Sequence, residues 1–222
     1  AVEVGDDPYR GCGAAVESER MAALRGDLVR ALAECHLRVG ETALAAALLR
    51  RVLRLYMDQS DFHGQAATYI QLTRALRQEA QRTGDPQDRT QVLRHLHEAE
   101  LLLANLDDRR GQALLSWEAA TFAAVEGNAQ AAQQLYEHAA ERFIAAGDQE
   151  GPSLCFNAMG ELARGAGRLT DARRHYQRFL DAARQRDHGL AVALANLNLG
   201  LCALGLGAAQ EAQDRLHEAA DG

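Results

Sequence analysis

The sequence predicts an all-α fold, a right-handed α-solenoid of about five antiparallel helix pairs, and three observations predict it. An Asp-x-x-Gly signature recurs as Asp61-Phe-His-Gly64, Asp108-Arg-Arg-Gly111 and Asp148-Gln-Glu-Gly151, at offsets of 47 and 40 residues, with a shortened copy Asp187-His-Gly189. A second marker, a Gly ahead of an Ala-rich run, follows each copy at Gly127, Gly167 and Gly207, with Gly40 earlier. Between the markers apolar residues fall three and four apart, in a chain that is 47% apolar with only 5% aromatics and three prolines. Fixed periods of roughly 20–50 residues mean stacked supersecondary units, and the three-four spacing makes those units helical. A repeat array is one continuous body without a central core, so the length of 222 residues counts repeats rather than domains.

Residues 1–17 carry three glycines, a proline and several acids without helical period, which predicts an arm or linker. From Ser18 the array begins, with Leu24, Leu28, Ala31, Leu32 and Cys35 forming a stripe that ends at Gly40. The same signals give repeats over about 18–57, 62–105, 109–146, 151–185 and 189–220, split as 18–39 with 41–57, 62–81 with 88–105, 109–126 with 129–146, 151–166 with 169–185, and 189–206 with 208–220. Asp61, Asp108 and Asp148 are expected to cap the first helix of their pairs, because a carboxylate there accepts the unpaired N–H groups of the first turn. The longer second period is assigned to the Gly84-Asp85-Pro86 interruption or to a longer helix before it. The last helix sets Ala208, Ala209, Ala212, Leu216 and Ala219 beside Gln210, Glu211, Gln213 and Asp214, the pattern of a soluble cap, whereas an apolar outer face would imply a truncated array or a dimer. With no initial Met and a stop just after a helix, the chain reads as a segment of something longer.

Composition narrows the function. All 24 basic residues are Arg, which removes the Lys of a phosphate loop, a kinase strand or a Schiff base. A net charge of -7 disfavours nucleic acid as a partner of this segment, since phosphate binding needs a basic face. Cys12, Cys35, Cys155 and Cys202 lie far apart, three of them in Ala/Leu surroundings, and read as reduced and structural in a cytoplasmic compartment. No apolar run approaches the roughly 20 residues of a membrane span. His95 and His97 point about 200° apart on a helix and Cys35 is adjacent to His36, so no pair has the i,i+4 geometry of a helical metal site. Ser153 in Gly-Pro-Ser-Leu-Cys reads as a helix start. The expectation is no enzyme, no metal and no cofactor.

Superposed, the units place small residues alike: Leu199-Gly200-x-x-Ala203, Gly207, Ala212-x-x-x-Leu216-x-x-Ala219, and Met159-Gly160-x-x-Ala163, Gly167, Ala172-x-x-x-Tyr176-x-x-Phe179. A third unit gives Ala120, Gly127, Ala132, Tyr136 and Ala139, and weaker ones give Ala33, Gly40, Ala45 and Leu49, and Thr73, Val92, Leu96 and Ala99. This pattern resembles the tetratricopeptide repeat (TPR) family in a long, about 40-residue variety similar to arrays in bacterial transcriptional activators and signalling kinases. It departs from that family where Ser116, Phe156 and Asn196 stand in place of its Trp, and in lacking its terminal Pro. Gly160 or Gly200 is expected to face Ala172 or Ala212, with Tyr136, Tyr176 or Leu216 filling the space below.

The resemblance implies that first helices line a concave groove, with an exposed face of Arg30, Glu34 and Leu37; Ile70, Arg74 and Arg77; Trp117, Thr121 and Ala124; Asn157, Glu161 and Arg164; and Leu197, Leu201 and Leu204. It implies a non-catalytic module that binds a peptide or partner protein there as part of a larger bacterial signalling protein. The alternative is a regulatory sensor that binds a small effector or signalling peptide and controls an attached kinase or DNA-binding domain. Arg74, Arg77 and Arg164 would pair ligand carboxylates, Asn157 and Asn198 would hold backbone amides, and Trp117 would anchor an apolar side chain. Arg50 and Arg51, on a second helix, should matter little. No membrane partner is expected, and a homodimer through a terminal repeat is the self-association considered.

Overall fold

The computed structural model describes residues 10–220, which form ten helices, with no strand among the described residues. They are α1 (Arg10–Arg38), α2 (Thr42–Asp58), α3 (Phe62–Thr83), α4 (Pro86–Leu103), α5 (Arg109–Val125), α6 (Ala129–Ala145), α7 (Gly151–Gly165), α8 (Leu169–Gln185), α9 (Gly189–Gly205) and α10 (Ala209–Ala220). Consecutive helices pack as pairs, and the chain divides into two compact units, Ala1–Leu106 with α1–α4 and Asp107–Gly222 with α5–α10. The first helix begins at Arg10 rather than near 18; of the expected arm, residues 10–17 lie in α1 and 1–9 fall outside the described residues. The longer second period is taken up largely in α3, which runs 22 residues against 17 for α5, with only Gly84 and Asp85 between α3 and α4.

The Asp signature works as a cap. Asp61 Oδ1 accepts the Gly64 N–H at 2.8 Å, Asp108 Oδ1 accepts that of Gly111 at 2.7 Å, and Asp148 Oδ1 accepts those of Glu150 and Gly151 at 2.9 Å each. In the shortened copy the cap slips by one residue: His188 Nδ1 accepts the Ala191 N–H at 3.1 Å, while Asp187 occupies the preceding position with φ 51°. That preceding position is Gly147 in one repeat (φ 71°) and Ser60 in another (φ 55°), so only one of the three turns has the residue suited to left-handed backbone.

Gly at the fourth place of the signature reflects a close approach. A Cβ on Gly64 would lie 2.5 Å from the Tyr56 ring, and one on Gly151 would lie 2.1 Å from that of Phe143. The aromatic precedes the glycine by eight residues in both repeats, and in the last repeat that spacing joins Ala183 to Ala191. A small residue at the earlier site thus accompanies a Cβ at the later one. Each buried Tyr or Phe of this kind contributes roughly 1.5–3 kcal/mol of transfer free energy.

The two cores differ. In the first unit Ala45, Leu49, Val52, Tyr56, Leu72, Ala75, Val92, Ala99 and Leu103 are buried, and Tyr56 Oη donates to Asp27 Oδ1 at 2.9 Å. Burial and that carboxylate push the Tyr56 hydroxyl up to about 12. The second unit has an aromatic spine of Tyr136, Phe143, Phe156, Tyr176 and Phe179 among buried alanines, with Cys155 and Cys202 inside. Burial raises both thiols, Cys155 to about 12. Cys35 is exposed, and no described cysteine forms a disulfide. At Gly160 a Cβ would meet the Tyr176 ring at 2.4 Å, the aromatic expected to fill the space at that crossing. Gly200 does approach the Ala212 carbonyl, with Leu216 closer still at 3.0 Å.

Candidate functional site

In the first unit the first-helix face is tied up by its own contacts. Arg74 Nη1 donates to both carboxylate oxygens of Glu34, at 2.9 and 3.2 Å, and Arg38 lies 3.6 Å from the same carboxylate. Arg30 donates through Nε to Gln71 Oε1 at 3.2 Å and through Nη1 to Asp27 at 3.3 Å. These links join residues 40 or 41 apart on α1 and α3, so successive first helices lie side by side. Arg77 is half-buried, and Leu37 and Ile70 are buried, so those two leave the exposed face. The long α3 sets its face by a helix five residues longer than α5, which spacing to a fixed Gly marker does not reveal.

In the second unit α5 packs against α7, and Asn198 Nδ2 of α9 donates to Asn157 Oδ1 of α7 at 3.1 Å. The two asparagines expected to hold a ligand backbone hold each other, and Asn198 is buried. Trp117 is half-buried, its ring 5.1 Å from that of Tyr136, whose hydroxyl donates to Thr121 Oγ1 at 3.0 Å. Glu161 accepts from Tyr176 Oη at 2.7 Å and from Arg164 at 2.5 Å. Burial and the Glu161 carboxylate raise the Tyr176 hydroxyl, and hydrogen bonding to Glu161 raises the Arg164 guanidinium. The groups open to solvent on this face are Arg164 and the α9 row Leu197, Leu201 and Leu204, exposed by 41%, 42% and 53%. The charges draw a reading of the sequence toward the arginines, although a spacing of four and three marks this row as the apolar contact.

Several arginines serve the fold. At the equivalent positions Ser116, Phe156 and Asn196, Arg142 donates to Ser116 Oγ at 2.6 Å, Arg178 lies 4.0 Å over the Phe156 ring, and Arg215 donates to Asn196 Oδ1 at 3.2 Å. A second helix thus sends one guanidinium to each site, as a hydrogen bond or a cation–π contact. At the last pair the polar residues of α10 face solvent, but a groove of Leu190, Ala193, Leu194, Leu197, Leu216, Ala219 and Ala220 is apolar, so the expected soluble cap holds for one side only. No described helix is long and apolar enough to cross a membrane.

By sequence the chain matches no family model and no curated protein. By structure it is similar to BtubC (BKLC) from P. vanneervenii, with a TM-score of 0.73 and 18% identity over 95% of this chain and 87% of that one. It is similar to the nearly identical TPR-like repeats of a putative kinesin light chain from Podosopora anserina, with a TM-score of 0.66 and 17% identity over 90% and 94% of the two chains. A Rap protein complexed with Competence and Sporulation Factor gives a TM-score of 0.70 and 15% identity over 89% of this chain and 57% of that one. The fold is therefore that of a TPR-like helical repeat protein.

Proposed function

We propose that the chain is a non-catalytic protein–protein interaction module, and that the first-helix face of its second unit binds a peptide or partner helix. The observation that supports this most is the exposed row Leu197, Leu201 and Leu204 beside the Arg164–Glu161 pair. Apolar side chains at alternating steps of four and three match the face an amphipathic partner helix presents, and an apolar row rimmed by charge is where partners bury area. A partner carboxylate would compete with Glu161 for Arg164, and Trp117 would flank the apolar contact. Arg30, Glu34, Arg74 and Arg77 of the first unit form a separate face, engaged in contacts of its own, that would set specificity rather than affinity. A cytoplasmic place in a larger bacterial signalling protein is part of this reading. The solved Rap complex, with a factor bound on a similar fold, supports the sensor version, in which the same face reports its ligand to an attached domain.

The test is selection of binding peptides from a random display library, followed by affinity measurement on the double variant Leu201→Ser, Leu204→Ser. Loss of at least tenfold in affinity with unchanged helicity is expected, on the order of 1.4 kcal/mol or more. Unchanged affinity would remove the α9 row from the site, and concentration-dependent self-association lost in the variant would identify a second copy of the chain as the partner.

A further inference from the structure

Away from both first-helix faces, the first unit contains a cavity of about 370 Å³ between α2, α3 and α4. Its floor is closed by Leu53, Tyr69, Leu72 and His95, all buried. Its rim is cationic, with exposed Arg50, Arg54 and Arg94 against the single carboxylate of Glu98. Arg50 donates to Gln91 at 3.2 Å, which ties α2 to α4, while neither Arg54 nor Arg94 has an ion-pair partner among the described residues. In a chain of net charge -7 this local surplus of positive charge stands against the overall field.

The imidazole supplies an independent pointer. His95 is 6% exposed, its ring lies 5.3 Å from that of Tyr69, and its Nδ1 is buried without a hydrogen-bond partner. Leaving such a polar atom unsatisfied costs about 1–3 kcal/mol, so a buried atom of this kind calls for a partner, which a bound ligand would supply. Volumes of roughly 300–1,000 Å³ with an apolar floor and a few convergent polar groups are those of small-molecule sites.

We propose that this cavity binds a small organic oxyanion, a carboxylate or phosphate ester with an apolar body. The charged head meets the guanidinium groups of Arg50, Arg54 and Arg94, which pair oxyanions bidentately. The body enters against Tyr69, Leu53 and Leu72, where it places a polar atom on His95 Nδ1. Glu98, one turn along α4 from Arg94, disfavours a second negative charge at that side of the rim.

The experiment titrates 4-hydroxybenzoate and, separately, 4-hydroxyphenyl phosphate into the full chain, with 4-hydroxybenzyl alcohol as the uncharged control, and follows the ring nitrogens of His95 by NMR. One of the two anions should shift Nδ1 saturably, and whichever binds more tightly identifies the head group. Arg54→Gln with Arg94→Gln should weaken that binding at least tenfold; both side chains are exposed, and circular dichroism verifies that the helices persist. Arg51→Gln, on the same helix but outside this cavity, should leave it unchanged. The proposal is overturned if neither anion moves the His95 signals, if 4-hydroxybenzyl alcohol binds as well as the anions, or if the Arg pair can be replaced without effect.

Discussion

The two units solve the same packing problem with different materials. The second repeats every 40 residues and closes its helix crossings with aromatic rings set against glycine, as at Tyr176 with Gly160 and Phe143 with Gly151. The first uses that device at Tyr56 with Gly64, and adds a longer α3, an aliphatic core and a ladder of polar links, Arg74 to Glu34 and Arg30 to Gln71. The links between its first helices span 40 and 41 residues, the regular period, as the Asn198–Asn157 link of the second unit does, and a cavity remains between α2, α3 and α4.

Removing the shape complementarity should have the largest effect. Gly160→Leu forces a side chain into the Tyr176 ring, and should cost roughly 2–3 kcal/mol in urea unfolding, whereas Gly200→Leu meets the flexible Leu216 and should cost about 1 kcal/mol. Equal losses would mean that the aromatic spine is no tighter than the aliphatic last repeat. Gly151→Ala should likewise destabilise by roughly 1–3 kcal/mol, and adding Phe143→Ala, which recreates the Ala183 and Ala191 pair, should cost less than the two single losses together. Strict additivity would remove the eight-residue coupling.

Acid should separate the units next. Burial, with Arg94 and Arg50 nearby, holds the His95 imidazole down at about 4, below its ordinary 6.5. A folded pKa below the unfolded one means the unfolded chain binds the proton first, so this contribution to stability is complete above pH 6.5 and is lost as pH falls toward 4. The loss is on the order of a few kcal/mol at most, and His95→Phe should flatten it in unfolding curves at pH 7, 5 and 4. Burial also lowers His175 in the second unit, so the variant should leave a residual acid sensitivity there. A His95→Phe protein with the full wild-type pH slope would show that carboxylates alone govern it.

Smaller effects test the turns and the charge ladder. Ser60→Gly and Asp187→Gly each put glycine where φ is positive, and should stabilise by about 0.5–1 kcal/mol, as a rise in melting temperature. Arg74→Gln should destabilise by about 0.2–1 kcal/mol, since its ion pair with Glu34 is partly exposed.

Helix boundaries from α2 to α10 were legible in the sequence to within about two residues, because Asp61, Asp108, Asp148 and the turn glycines punctuate both ends of each pair. The start of α1 was not, since Gly11 and Gly13 argue locally for a loop, yet the helix begins at Arg10. The face of each first helix was half legible: Arg164, Leu197, Leu201 and Leu204 are open, while Leu37 and Ile70 are buried and Arg74 is matched to Glu34. A residue type states what a side chain can pair with, but only geometry states whether a neighbour 40 residues away already does. Arg50 illustrates the same limit, a second-helix residue of no expected consequence that lines the cavity around His95.

Trp117 carries a consequence of another kind. It is the one tryptophan of the chain and lies against the Tyr136 ring where α5 meets α6. Its fluorescence is therefore an optical label for the second unit alone, with tyrosine as the emitter left to the first. Emission at long wavelength follows the loosening of the Asp107–Gly222 unit, while far-ultraviolet ellipticity sums the helices of both. Divergence of the two signals on a denaturant axis would resolve the order in which the units melt, without any probe having to be introduced.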